Sequence, residues 1–161
     1  ALLFAGYVTD GGSIVFPGGQ INSSVEGPGL IRSVAGTSPA GGANIAESVP
    51  TGARWRIISF KTILSCDANA ANRVPTFIID DGTDELFRAG EFVTLTANQT
   101  GHISLAANGQ EDVTSISNLV QLIPPYLILF AGCRIITSTA GILAGDDYTI
   151  IRILVEEWIE P

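Results

Sequence analysis

The segment "DYTIIRILVEEWIE", residues 147–160, constrains the fold more than any other part of the chain. Ile151, Ile153 and Val155 fall in one phase; Ile150, Arg152, Leu154, Glu156 and Trp158 fall in the other. A period of two sustained over this length specifies a β-strand, since successive strand side chains point to opposite faces. A helix would need a 3.6-residue stripe and a capping residue, and this segment has neither.

The same grammar runs back to Arg54. "RWRIISFKTILS" is rich in β-branched and aromatic residues, and its apolar phase slips between Ile57 and Ile58, which predicts a bulge. "RVPTFIID", "LFRAGEFVTLTA" (interrupted by Gly90), "GHISLAA", "NLVQLIPPYLILF" and "CRIITSTA" read as further strands. They are separated by turn signals such as "DGTDE" and Asn108-Gly109. No amphipathic helix is legible. About eight strands with turns at this spacing predict an all-β fold, an antiparallel β-sandwich or jelly roll.

The first 48 residues differ in composition. They hold ten of the eighteen glycines and only four charged residues, Asp10, Glu26, Arg32 and Glu47. The sequence therefore divides into a glycine-rich N-terminal arm, residues 1–48, and a β-sandwich domain, residues 49–161, with "VPTG" at the boundary. "LLFAGYV" and "GSIVF" are short candidate strands within the arm. Its isolated apolar residues suit an extended segment ordered by lying on other subunits. The candidate contacts are Leu30, Ile31, Val34 and Ile45, with Arg32 as the cation available to a partner carboxylate. Trp158 and Ile159, near the chain end, are the candidates for an apolar contact between protomers.

Charge and composition narrow the function. Of 161 residues 46% are hydrophobic and 15% charged, so the chain has apolar surface to bury in the fold or between subunits. No run spans a bilayer, because Pro124, Pro125 and Gly132 interrupt the longest apolar stretch. A net charge of −8 argues against nucleic-acid binding. Cys66 and Cys133 read as buried free thiols, since two cysteines without C-x-x-C spacing make neither a disulfide scaffold nor a zinc site.

No pattern of catalysis, metal or cofactor binding emerges. Asp80, Asp81, Asp84 and Glu85 offer oxygen donors of the kind Ca²⁺ takes, but lack EF-hand spacing and read as a hairpin turn. Asp146 and Asp147 likewise read as a turn. His102 is the single histidine and no nucleophile elbow accompanies it. Trp55 and Trp158 read as packing residues rather than a sugar-stacking pair.

The stretch "VPTGARWRIISFKTILSCDANAANRVPTFIIDDGTDELFRAG" resembles small structural proteins of tailed bacteriophages, with its "VPxGxxWRI" opening and "NR.P...IDDG" turn. The C-terminal "GxRI", "AGD" and "VEEW" elements are similar to the same set, and together the likeness covers residues 49–161. Among such proteins the nearest functional picture is a capsid decoration, or cement, protein. The resemblance implies a non-enzymatic virion component made in the host cytoplasm. It would sit on the outer capsid surface and clamp neighbouring major capsid proteins as a homotrimer. The alternative expectation is a host-receptor or carbohydrate-binding module of a phage tail or head fibre.

Overall fold

The computed structural model describes residues 7–8, 14–16, 19–20, 28–89, 93–112, 115–116 and 118–159. Every regular element among them is a β-strand. Tyr7–Val8 (β1), Ile14–Phe16 (β2) and Gly19–Gln20 (β3) form a small antiparallel meander. The other strands build two larger sheets. Leu30–Ala35 (β4), Ala53–Ser65 (β6), Thr100–Ala106 (β9), Leu119–Leu122 (β10) and Asp147–Ile159 (β13) make the first, in the order β10-β9-β6-β13-β4. Ile128–Leu129 (β11) adds to β6. Ala46–Ser48 (β5), Val74–Asp80 (β7), Glu85–Arg88 (β8) and Arg134–Ala140 (β12) make the second, in the order β5-β12-β7-β8. The pairing is nested: β4 with β13, β5 with β12, β6 with β9, and β7 with β8, all antiparallel.

Alternation explains why these segments pair as they do. On β6 the residues Ala53, Trp55, Ile57, Phe60, Thr62 and Leu64 are buried, and the step of three from Ile57 to Phe60 is the predicted bulge. On β13 the buried Tyr148, Ile151, Ile153 and Val155 contain a second step of three, where Ile150 is squeezed out at φ +51°. Phe60 of the first sheet and Phe77 of the second meet edge to face at 4.9 Å, so the two sheets share one core. Each fully buried Ile, Leu or Phe stabilises the fold by roughly 1.5–3 kcal/mol.

Three sequence expectations are redrawn by the backbone. Leu30–Ala35 and Ala46–Ser48, read as extended arm, are the edge strands of the two sheets. Ile45, nominated as a partner contact, is 1% exposed inside the chain's own core, and its N–H donates to Thr137 Oγ1 at 2.8 Å. Correcting that nomination is simple physics: an anchor already enclosed by its own fold has no surface to offer a neighbour. Asn108-Gly109 closes no hairpin, because β10 runs parallel to β9 and the chain must cross over between them.

Residues 1–6, 9–13, 17–18 and 21–27 of the expected arm lie outside the described residues. No helix long and apolar enough to cross a membrane occurs among the described residues.

Candidate functional site

Among the described residues, charged side chains gather in three places, and each is best understood from what those groups touch. The most buried is Arg73, at the entrance to β7. Its Nε and Nη2 donate to the two oxygens of Asp146 at 2.9 Å each, and Nη2 also donates to Asp67 at 2.5 Å. Nη1 donates to the carbonyls of Asn69 and Ala71, both at 2.9 Å. Asp146 in turn accepts the backbone N–H groups of Asp67 and Leu143. Burial alone pushes the Asp146 carboxyl up, but the guanidinium and these two N–H donors outweigh it and hold its pKa below the ordinary value. All five guanidinium N–H bonds are satisfied, so this cluster pins the β6–β7 loop to the turn before β13. It has no donor left for a substrate.

The second is the hairpin between β7 and β8. Asp80 takes Arg134 as a two-pronged partner, 2.8 Å at both oxygens, and accepts Gly82 N–H at 2.9 Å. Asp81 Oδ1 accepts the N–H groups of Thr83 and Asp84. Gly82, at φ +95°, supplies the backbone shape that the Asp-Gly signal predicts. Glu85 pairs with Arg88. The acidic run is thus organised as a turn by its own hydrogen bonds.

The third lies where β4 borders β13. Glu157, 5% exposed, accepts the indole N–H of the buried Trp55 at 2.8 Å and pairs with Arg32 at 3.0 Å. Its neighbour Glu156 faces the other way, accepting Gly29 N–H at 2.8 Å and pairing with Arg56. Trp158 lies beneath the guanidinium carbons of Arg54 and Arg56, at 5.0 and 6.0 Å from the ring centre.

Here the nominated residues come together in part. Leu30 and Ile31 are 67% and 62% exposed and point to opposite faces of a terminal strand, opposite Glu157 and Glu156 respectively. Ile159, at the far end of the described chain, is 77% exposed. Val34 packs against the core instead, and Arg32 is held by Glu157. Trp55 and Trp158 stand on opposite faces of the first sheet and make no common platform. His102 is half-buried on β9 and donates its backbone N–H to Ile116. Cys66 and Cys133 are free and buried, and burial raises the Cys66 pKa.

Sequence reasoning missed Arg73, Asp146, Glu156 and Glu157 as organising residues. Beside a few local contacts, the partners that matter lie 73 to 127 positions away, and only the folded strand register brings them together.

No protein-family model matches the chain, and no curated protein or solved structure is significantly similar to it.

Proposed function

We propose that this chain is a non-enzymatic structural protein of a tailed-phage virion. It is a decoration protein on the outer capsid surface that clamps neighbouring major capsid proteins and works as a homo-oligomer, a trimer by resemblance. Its fold on this reading is a jelly-roll sandwich. The nested strand pairs support that, being what a long antiparallel ribbon gives when it curls into two facing layers.

The observation that carries the functional reading is the outer edge of β4. Among the described residues β4 is a terminal strand with no strand paired to its outer side, and it exposes Leu30 and Ile31 on its two faces. Natural edges are usually blunted with charge or proline; here the one charged residue of β4, Arg32, is held by Glu157, while Leu30 and Ile31 stay exposed. The buried charges elsewhere tie loops and strands of the chain to one another, which suits a mechanical part.

Such a protein acts by adding buried area across seams, and weak contacts repeated over a symmetric shell sum to a strong hold. The test is binding of the full chain to shells stripped of it. Saturable binding that Leu30→Glu with Ile31→Glu weakens, while thermal stability is retained, supports the reading. A folded wild-type chain that leaves such shells bare overturns it.

A further inference from the structure

The outer face of the β10-β9-β6-β13-β4 sheet carries half of the chain's eight lysines and arginines: Arg54, Arg56 and Lys61 on β6 and Arg152 on β13. Lys61 and Arg152 are directly opposite one another in the antiparallel register, and both are exposed. The row across the sheet reads Ser104, Lys61, Arg152, Ala35. The row on one side is His102, Ile63, Thr149; on the other it is Ala106, Ser59, Leu154, Ser33. No carboxylate stands in these three rows. Further along the face, Glu156 is already engaged by Arg56 and Gly29.

Like charges directly opposed across a strand pair destabilise a sheet. The Arg152 guanidinium donates to the carbonyl of its own neighbour Ile151 at 2.9 Å, which leaves the charge uncompensated by that bond. Beside it Ile150 is half exposed at φ +51°, a conformation that β-branched residues avoid. Two features unfavourable to an isolated protomer therefore sit side by side on an otherwise acidic chain.

The complementary surface is on the same chain. The β7–β8 hairpin exposes Asp81 and Asp84 at its tip with Leu86, 48% exposed, next to them. That hairpin belongs to the second sheet, which covers the inner face of the first, so it serves the outer face of another copy. We infer that a second copy docks its hairpin here, Asp84 between Lys61 and Arg152 and Leu86 against Ile150 and Leu154. Such a contact is head-to-tail, and closes into a ring if its rotation allows. It deepens the homo-oligomer part of the proposed function and stands independently of shell binding.

Sedimentation velocity of the full chain tests it without shells. Wild type should self-associate, less so at high salt. Lys61→Glu and Asp84→Lys should each weaken association by roughly tenfold or more, and the two combined in one chain should recover it in part. Lys61→Glu also places a carboxylate opposite Arg152, so its melting temperature as a monomer should be no lower than wild type, which separates lost docking from lost folding. A wild-type chain that stays monomeric at high concentration overturns the inference. So does association that neither reversal changes, which would assign the contact to another surface such as the β4 edge. Failure to bind shells, by contrast, touches only the capsid reading.

Discussion

A guanidinium as enclosed as that of Arg73 persists only where each N–H is met and its charge is balanced; Asp146 accepts two of the five N–H bonds and, with Asp67, balances the charge. Asp146→Ala should therefore destabilise the protein by about 3–5 kcal/mol, because it strands a buried cation and two backbone N–H groups; denaturant unfolding monitored by tryptophan fluorescence measures it. Ile150 offers the opposite case. Its backbone lies in the left-handed region, which costs an L-residue roughly 1–2 kcal/mol. Ile150→Gly removes that strain while giving up only a half-exposed side chain, so its stability should match or exceed wild type. The next residue, Ile151, is 1% exposed, and Ile151→Ala should cost about 2–5 kcal/mol. Equal losses at both positions would show that the bulge is not where the register places it. Neither residue's role was legible beforehand. "TIIRI" reads as unbroken alternation, and nothing local in "AGDD" separates a buried aspartate from a solvated one.

At the scale of elements, turns decide how the strands connect. Gly141, between β12 and β13, sits at φ +71°, and a Cβ added there would run into the Asn72 carbonyl. Gly141→Ala should therefore destabilise by on the order of 1–3 kcal/mol, through backbone strain and a pushed β6–β7 loop; a melting curve that does not move would contradict this. What could be read from sequence at this scale followed from burial on one face. β9 and β12 alternate cleanly, β6 and β13 alternate on either side of a bulge, and β7, buried at every position after Val74, was marked instead by its run of β-branched and aromatic residues; the β6 bulge announced itself as a slip in the alternation. β4 and β5 were invisible as strands because an edge strand is half uncovered: "LIRSVA" is exposed at five of its six positions, so no burial period marks it. The parallel β9–β10 pair was illegible for another reason. A tight-turn signal such as Asn108-Gly109 fixes the local bend but not where the chain goes after it. Leu30 and Ile31 stood out in the sequence as isolated apolar residues, yet their cross-strand neighbours Glu157 and Glu156, more than a hundred residues later, did not.

Across the whole molecule, buried and turn-held ionisable groups set how stability depends on pH. Arg134 chiefly holds the Asp80 pKa below its ordinary value, against the opposing effect of burial. The Asp84 and Thr83 N–H groups do the same for Asp81, and Asp146 is also lowered. A carboxylate with a folded pKa below its unfolded one binds protons more weakly when folded. Its contribution is complete above the unfolded value, about 3.9, and fades as pH falls through the lower folded value. The acid limb of the stability curve should thus begin near pH 4 and steepen below it. Tyr148 sets an alkaline limb. Burial, partly offset by its bond to Thr139 Oγ1 at 2.6 Å, raises its pKa to about 12. A raised pKa means that the contribution is complete below the unfolded value, about 10, and is lost as pH rises towards the folded one. Between these limbs the melting temperature should change little with these groups. Tyr148→Phe should lower it near neutrality by removing a buried hydrogen bond, worth roughly 1 kcal/mol, yet flatten its decline above pH 10. Calorimetry of both proteins from acid to alkaline pH checks this. Parallel alkaline limbs would locate the sensitive group elsewhere, with the Cys66 thiol, whose pKa burial also raises, the next to replace.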